Sequence, residues 1–301
     1  MSLILTYGST GSQGEPVARK LLEAGHQVRA VVRHPERAAA LQAKGAEIVQ
    51  GNLADLESLK RASLGVDAMF LMLPFSAQGN PFELLGKALE AARAAGVKFL
   101  VFNTGGHPPA SPTGIPMLDF RIQLEEFIAD CGIPNVILRP GAYMENFLGP
   151  WCLPSVQAQN LVAYPHRNEM RVSWIASEDL GSLAVAAFER PHLAGQRFTL
   201  GGPEALDGAA IARAFTAGLG REVHYQAITP EAFGATMAQI MGPEAGEGIR
   251  VAYGYSNAQS DDAMSVDMSG VLEHLPVHLT KLEDWVRSHT NAFAPSSKSV
   301  G

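Results

Sequence analysis

A short glycine-rich turn near the start of the chain has the residue types and spacing of a phosphate-binding loop. It reads Gly8-Ser9-Thr10-Gly11-Ser12-Gln13-Gly14. A buried strand is predicted before it and a helix after it, and this context makes a glycine triplet informative. Gly8 permits a tight turn, Gly11 lets the backbone approach a pyrophosphate, and Gly14 lets helix and strand pack closely. The N–H groups at the helix start favour phosphate. The turn therefore predicts a dinucleotide site, and the alternative is a plain glycine-rich turn.

The end of the second predicted strand carries cations in place of an acid. A site for NAD has Asp or Glu there, which accepts hydrogen bonds from the ribose hydroxyls. This chain has Arg33, followed by His34 and Arg37. A guanidinium suits a 2′-phosphate. The replacement of the acidic residue by Arg33 therefore favours NADP(H) over NAD. The alternative is that Arg33 is an exposed surface arginine with no role in cofactor binding.

Strands and helices alternate around these residues. The predicted strands are 2–7, 27–32, 47–50, 68–73, 97–102 and 135–138, and the helices between them are 14–24, 35–44, 56–64, 81–95 and 119–131. The strands are apolar on both faces, which is typical of a parallel sheet covered by helices on both sides. Right-handed crossovers then give a doubly wound α/β sheet that binds ligands at the carboxyl ends of its strands.

The regular pattern weakens after residue 140. Helix 177–190 and strand 197–200 are expected to return to the sheet, and helices are predicted at 206–219, 230–241 and 280–288. We expect a dinucleotide-binding Rossmann domain of residues 1–141 plus about 176–202, a smaller and mostly helical C-terminal lobe of about 142–175 and 203–290, and a flexible tail of 291–301.

Composition narrows the classes of partner. With 23 Lys and Arg against 30 Asp and Glu, the net charge is −7, and no stretch is dense in basic residues, so direct nucleic-acid binding is not expected. Cys131 and Cys152 are too few for a disulfide framework or a zinc site, and no metal is expected. No segment resembles a membrane span or a signal peptide, so we expect a cytoplasmic protein. The oligomeric state stays open.

Several further segments match the pattern of a known family in combination. They are Gly51-Asn52-Leu53-Ala54-Asp55, Leu138-Arg139-Pro140-Gly141-Ala142-Tyr143-Met144-Glu145-Asn146 and Asp179-Leu180-Gly181. Together with the turn and Arg33, they resemble the NmrA-like family of atypical short-chain dehydrogenases. The resemblance covers roughly residues 3–225 and implies an NADP-binding Rossmann domain with a small C-terminal lobe.

The resemblance implies cofactor contacts beyond the turn and Arg33. By this resemblance, the adenine end lies at Asn52 and Leu53, the ribose on the nicotinamide side at Leu73, Pro74 and Phe75, the nicotinamide at Thr104 and Gly105, and its carboxamide at Pro140 and Gly141. These roles are expectations that the family pattern supplies.

The Tyr and Lys pair of standard short-chain dehydrogenases is absent. Arg121 occupies the expected lysine position, and Met117 stands four residues before it. Arginine can hold a ribose or phosphate oxygen, but it cannot deliver a proton at neutral pH. Standard carbonyl–alcohol chemistry is therefore not expected. On the same predicted helix, Glu125 is spaced to pair with Arg121.

Two functions remain open. The first is an NADPH-dependent reductase of quinones or related small electrophiles, since the loop Thr104-Gly105-Gly106-His107 is similar to that of quinone oxidoreductases within the family. His107 would donate a proton or orient the acceptor, or else is a loop histidine with one hydrogen bond. Tyr143 would contact the acceptor or pack between the lobes. The second is a non-catalytic NADP(H) redox sensor that regulates a protein partner, which needs a cofactor site and no acid.

Overall fold

Strand and helix alternate along the first 140 residues, as the hydrophobic pattern predicts. The computed structural model describes residues 1–73 and 79–295. The strands are β1 (Leu3–Tyr7), β2 (Gln27–Val32), β3 (Glu47–Gln50), β4 (Ala68–Met72), β5 (Phe99–Asn103), β6 (Asn135–Pro140), β7 (Leu161–Tyr164), β8 (Val172–Ser173), β9 (Arg197–Leu200), β10 (Ala205–Leu206) and β11 (His224–Ala227). The α-helices are α1 (Gly14–Glu23), α2 (Ala39–Ala43), α3 (Leu56–Ser63), α4 (Pro81–Ala94), α5 (Pro116–Ala129), α6 (Leu153–Gln159), α7 (Ser177–Phe188), α8 (Gly208–Leu219), α9 (Pro230–Met241), α10 (Pro243–Asn257), α11 (Ser269–His274) and α12 (Leu282–Ser288).

The main sheet has seven strands, all parallel, in the order β3-β2-β1-β4-β5-β6-β9. Helices α1 and α7 pack together, and α3 packs with α4, so the helices form two layers around the strands. The predicted α/β class with a doubly wound parallel sheet is confirmed. Since the strand order reverses between β1 and β4, the sheet has its topological switch point there, where such folds bind ligands.

The core of this sheet is apolar on both faces. Every residue of β4 and of β5 is buried, because helices cover both sides. The helix predicted at 35–44 differs in detail. It begins as a 3-10 turn, Pro35–Ala38, and becomes α-helical only in α2.

The chain divides into two compact units. The sheet unit comprises Met1–Pro140, Ser177–Leu200 and Ser269–His278. The second unit comprises Gly141–Ala176, Gly201–Met268 and Leu279–Gly301. The sequence placed residues 269–278 in the C-terminal lobe. They group with the sheet unit because α11 contacts β9, with the rings of Phe198 and His274 6.0 Å apart.

Large aromatic side chains build the core of the second unit. Phe147 packs against Trp174 at a ring-centroid distance of 4.4 Å and against Phe215 at 5.2 Å. Helices α8 and α12 contact each other, and β7 pairs with β11 in parallel. The unit thus contains two small strand pairs besides the helices that the sequence predicts.

Ala292 and Phe293 are held against the core of the second unit, although the sequence predicts that a flexible tail begins at 291. Phe293 is fully buried against Phe215 and Trp285. Its carbonyl accepts a hydrogen bond from Arg221 at 2.7 Å, and the Ala292 carbonyl accepts one from Gln157 at 2.8 Å. The expected tail was therefore wrong for these residues, because an aromatic anchor fixes them to the core. In the described chain, no helix has the length and apolar character needed to cross a membrane.

The buried His166 should make stability depend on pH. Its ring is 3% exposed among Tyr164, Trp174 and Tyr253, and burial lowers its pKa from 6.5 to about 4. An unfolded chain protonates this histidine below pH 6.5, whereas the folded chain holds it neutral down to about pH 4. The free energy of unfolding should therefore fall by up to about 3 kcal/mol as pH drops through this window.

Chemical denaturation of the His166→Phe variant from pH 7 to pH 4 measures this contribution. The variant should lose much less stability over the window than the wild type. His224→Gln, at an exposed histidine of the same unit, is the matched control and should keep the wild-type slope. Equal slopes for His166→Phe and wild type would contradict the assignment.

Candidate functional site

The glycine-rich turn connects the carboxyl end of β1 to the start of α1. Gly8 has φ of +74°, and its carbonyl accepts a hydrogen bond from the Gly11 N–H at 2.9 Å. The Ser9 hydroxyl is buried and bonds that of Thr6 at 2.8 Å. Thr10 and Ser12 are exposed. The turn is thus held from inside by β1, and its outer side faces solvent.

The three glycines are needed for different reasons. A Cβ on Gly14 would lie 2.3 Å from the Gly8 carbonyl oxygen, so helix and strand can approach this closely only with glycine. Gly8 requires the left-handed backbone region. Gly11 has no positive φ, and its Cβ would meet only the Gly8 oxygen, at 3.4 Å. Packing within the described protein therefore does not explain Gly11, and the space beside it suits a ligand that approaches the backbone.

The start of α1 has donors available for such a ligand. Gln13 is the N-cap residue, and none of the described side chains caps the helix there. The Gln13 Oε1 instead accepts a hydrogen bond from Asn103 Nδ2 at 3.2 Å, which connects the turn to the end of β5. Unsatisfied N–H groups and the helix dipole attract anions at such a helix start.

Arg33 follows β2 at the same edge of the sheet. Its side chain is exposed, and its carbonyl accepts a hydrogen bond from Gln50 at 3.4 Å. Because β1 and β2 are parallel neighbours, Arg33 and the turn both lie at the carboxyl ends of the strands.

The segment after β3 is a helix-capping turn. Asn52 is exposed, and its side chain accepts the Ala54 N–H at 3.1 Å. Asp55 caps α3 by accepting the Glu57 N–H at 3.1 Å, while Leu53 is nearly buried. The segment Gly51–Asp55 thus has a structural role, and it leaves Asn52 exposed at the carboxyl edge of the sheet.

The remaining predicted cofactor residues fall at strand ends or outside the described structure. Leu73 directly follows β4 and is half-buried, Pro140 ends β6, and Gly141 begins the second unit. Pro74 and Phe75 lie outside the described residues. The structure therefore brings the turn, Arg33, Asn52, Leu53, Leu73, Thr104, Gly105 and Pro140 to one edge of the sheet.

The loop after β5 is fixed by side-chain hydrogen bonds at its start. Asn103 Oδ1 accepts the Gly105 N–H at 2.8 Å, and the Thr104 hydroxyl donates to the Gly106 carbonyl at 2.7 Å. Asn103 thus positions both this loop and the glycine-rich turn. Sequence analysis missed it, although a polar residue that ends an otherwise apolar strand is a usable signal.

His107 holds this loop against the end of the sheet. Its Nε2 lies 3.1 Å from the Leu200 carbonyl oxygen and, as the partner of an acceptor, carries the proton. Burial is the main cause that lowers the pKa of His107 below its ordinary value, and the charges of Arg139 and Arg121 lower it further. The neutral ring thus donates to a backbone carbonyl, which matches the loop-histidine alternative and leaves the proton-donor role without geometric support.

Arg121 extends from α5 to this same loop. A Cβ on Gly106 would lie 2.9 Å from its Nε, so the guanidinium packs directly on that glycine. Burial lowers the pKa of Arg121. Across residues 1–73 and 79–295, no Asp or Glu lies within 4.0 Å of its charge.

The expected pairing of Glu125 with Arg121 was wrong. Glu125 is 3% exposed and accepts two hydrogen bonds from Arg139 on β6, one of them 2.7 Å from Nε to Oε1. The fork of one guanidinium matches both oxygens of the buried carboxylate, and this outweighs a helical i,i+4 contact. Arg121 is thereby left for another partner.

Tyr143 lies near the start of the second unit and is 5% exposed. Its backbone forms a parallel bridge to Ile175. This burial fits a packed aromatic side chain, which is one of the two alternatives that the sequence left open for Tyr143. The other is a contact with the acceptor.

The parallel sheet, its switch point and the glycine-rich turn define a Rossmann-type dinucleotide-binding protein. The model of the NmrA-like family matches residues 1–286, so this chain belongs to that family and the resemblance in its motifs is confirmed.

Several known proteins are similar to this chain. NAD(P)H azoreductase of Xenophilus azovorans is 32% identical over 243 residues, which cover 80% of this chain and 82% of that protein. Quinone oxidoreductase 2 of Escherichia coli is 28% identical over 80% of this chain and 83% of its own length. The crystal structure of NADPH-dependent quinone oxidoreductase QOR2 complexed with NADPH, also from Escherichia coli, superposes with a TM-score of 0.77 at 26% identity, covering 95% of this chain and 99% of that one.

Two glycines of the turn, the exposed Gly11 and the buried Gly14, should respond differently to a methyl group. Gly14→Ala should lower the unfolding free energy by about 1–3 kcal/mol, because its Cβ would overlap the Gly8 carbonyl. Gly11→Ala should leave the melting temperature near that of the wild type. Thermal unfolding of both variants measures the difference, and a large loss in Gly11→Ala would show that the fold itself needs this glycine.

Proposed function

We propose that this protein binds NADP(H) at the carboxyl edge of its sheet and reduces small electrophiles of the quinone type. The observation that carries the proposal is Gly11, an exposed glycine that packing does not explain, placed at the start of a helix that no described side chain caps. Room for a backbone approach and donors for an anion are what a pyrophosphate needs.

The described residues at this edge have the chemistry that NADP(H) needs, and we assign its parts to them, and to Pro74 and Phe75 outside the described residues, as the family pattern implies. The turn Gly8–Gly14 would hold the pyrophosphate, and Arg33 would pair with the 2′-phosphate of the adenosine ribose. Asn52 and Leu53 would flank the adenine, and Leu73, Pro74 and Phe75 the second ribose. Thr104 and Gly105, with Pro140 and Gly141, would surround the nicotinamide. The cofactor, when bound, supplies a hydride.

Reductase activity is supported by the relatives. The names of two similar proteins describe an NAD(P)H azoreductase and a quinone oxidoreductase, and both align over 80% of this chain. Met117 and Arg121 stand where a standard dehydrogenase has its Tyr and Lys, so the favoured acceptors need little help with protonation. His107 would position the loop after β5, and Tyr143 is kept as a candidate polar contact for the acceptor.

The first test measures binding and turnover together. Purified protein should bind NADPH and should oxidise it when simple quinones are added, followed by the loss of NADPH absorbance. Gly11→Ala should weaken NADPH binding roughly tenfold or more, about 1.4 kcal/mol, because its Cβ enters the space that the pyrophosphate needs.

Gly254→Ala is the matched control for Gly11→Ala. Gly254 lies in α10 with an ordinary φ, and a Cβ there meets nothing within 4 Å, so NADPH affinity should not change. NADPH binding without oxidation by any quinone would favour the redox-sensor alternative over the reductase. Equal affinities of wild type and Gly11→Ala would contradict the cofactor assignment.

A second prediction concerns the choice between the two cofactors. Arg33→Ala should weaken NADPH binding about 10- to 100-fold, since a charge-assisted hydrogen bond is lost. NADH binding should change little. Calorimetric titration of both cofactors measures this difference.

Arg61→Ala is the control for Arg33. Arg61 is also exposed, but it lies in the last turn of α3, which leads to the amino end of β4 and thus to the opposite edge of the sheet. Its removal should leave both affinities unchanged. Equal losses of NADPH and NADH affinity in Arg33→Ala would contradict the proposal that Arg33 selects NADPH through its 2′-phosphate.

A further inference from the structure

We propose that Arg121 binds the acceptor oxygen and stabilises the oxyanion formed by hydride transfer, which restricts the substrates to acceptors whose hydride adduct is a resonance-stabilised oxyanion. This inference rests on the proposed reductase function and names its substrate class. Three observations lead to it: the position of Arg121, its uncompensated charge, and the absence of an available acid in the loop beside it.

The position of Arg121 is set by the loop after β5. The guanidinium lies against Gly106, where an added Cβ would be 2.9 Å from Nε and 3.0 Å from Nη2. Gly106 itself needs no left-handed backbone, so its lack of a side chain serves the approach of Arg121. Thr104 and Gly105, the residues expected beside the nicotinamide, directly precede this contact.

Among the described residues, no Asp or Glu lies within 4.0 Å of the Arg121 guanidinium, and the two acids nearest to it in sequence along α5 have other partners. Glu125, one turn further along α5, is fully engaged by Arg139. Asp119, on the first turn, accepts hydrogen bonds from the Thr113 N–H at 2.7 Å, the Thr113 hydroxyl at 2.8 Å and the Gly114 N–H at 2.8 Å. A cation that is removed from water and left unpaired is costly, so a site of this kind favours a bound anion.

No titratable side chain in residues 103–121, the segment that contains the loop after β5 and Arg121, is able to give up a proton at neutral pH. Residues 103–121, all described, contain His107, Asp119 and Arg121 as their titratable side chains. His107 is neutral and donates its N–H to the Leu200 carbonyl. The hydrogen bonds from Thr113 hold the pKa of Asp119 below its ordinary value, so it is ionised. Arginine remains protonated. The segment thus offers positive charge without an acid.

Arg121 can stabilise a negative charge but cannot protonate it. The site should therefore favour acceptors whose hydride adduct is a weakly basic anion. A quinone that accepts a hydride becomes the monoanion of its hydroquinone, and one proton from water completes the product. NADPH is oxidised to NADP⁺ in the same step, so electrons and protons balance. The monoanion is a phenolate, whose conjugate acid resembles tyrosine with a pKa of about 10. A simple ketone would give an alkoxide about as basic as hydroxide, with a conjugate acid near water at about 15.7.

The key experiment compares Arg121→Met, Arg121→Lys and Gly106→Ala with the wild type. The rate of NADPH oxidation by a benzoquinone is measured in a single turnover, and the NADPH affinity separately. Removing a group that stabilises an oxyanion lowers such a rate by roughly 100-fold. We expect this loss in Arg121→Met, a smaller loss in Arg121→Lys, and little oxidation by benzaldehyde or acetone in any form.

Gly106→Ala tests the position without removing the charge. Its Cβ displaces the guanidinium, so it should slow the same step while Arg121 is still present. It also keeps the proposal testable if Arg121→Met folds poorly. Arg61→Met, at an exposed arginine on α3, is the control and should keep the wild-type rate.

A second readout does not depend on turnover. 4-Nitrophenol, whose phenolate absorbs visible light, is titrated with pH in the presence of the protein, with and without NADP⁺. The wild type should bind the phenolate and lower the pKa of the bound phenol. Arg121→Met and Gly106→Ala should abolish this shift, and Arg61→Met should retain it.

The outcomes separate this inference from the proposed function. A wild type that oxidises no NADPH with quinones, but shifts the nitrophenol pKa through Arg121, would refute the reductase and support the anion site. Quinone reduction at an unchanged rate in Arg121→Met would overturn the inference while the reductase stands. A loss confined to NADPH affinity would also overturn it, because Arg121 would then only hold the cofactor.

Discussion

The close approach of α1 to the end of β1 is the constraint on which the site depends. Gly14 brings the helix within a distance of the Gly8 carbonyl that no other residue permits. This contact fixes the start of α1 at the carboxyl edge of the sheet, next to the topological switch point between β1 and β4. The N–H groups of the first turn and the partial charge of the helix therefore face the place where a dinucleotide binds in this class of fold.

Hydrogen bonds connect the glycine-rich turn to the neighbouring loop after β5. Asn103 bonds Gln13 of the turn with one end of its amide and Gly105 with the other. His107 fixes the far side of that loop to the Leu200 carbonyl. The turn and the loop after β5 are thus held in a fixed position relative to each other by hydrogen bonds between uncharged groups.

Two arginines, Arg139 and Arg121, could pair with the Glu125 carboxylate, and only Arg139 does so. The buried carboxylate of Glu125 is taken by Arg139, whose planar fork satisfies both oxygens. Arg121, one turn earlier, is left with a partly desolvated charge beside Gly106. A guanidinium cannot exchange its proton at neutral pH, so this cation favours chemistry driven by charge stabilisation over general acid catalysis.

Sequence patterns predicted the sheet unit well, since its strands are apolar runs between clear turn signals. The bounds of β2, β3, β9 and α9 agree with the predicted ranges residue for residue. Helix α10 was missed because three glycines within it, Gly246, Gly248 and Gly254, lower the helical propensity. Gly246 instead permits close packing against Gly234 and Ala238 of α9, a tertiary contact that no local pattern contains.

The position of the turn and of Arg33 at the carboxyl edge of the sheet was predictable, whereas the partners of the charged groups on α5 were not. The turn and Arg33 carry a local signature of strand, glycine spacing and cation. Glu125 was assigned to the wrong arginine because helical spacing describes only neighbours, while Arg139 reaches it from β6. The packing of Phe293 was missed for the same reason, since its burial depends on tertiary contacts that no local sequence pattern contains.

Amide hydrogen exchange with and without NADPH tests the central claim most directly. The account predicts that NADPH slows exchange at the N–H groups of residues 9–15, where the start of α1 would hold the pyrophosphate. A protein that binds NADPH yet shows unchanged exchange over these residues would contradict it.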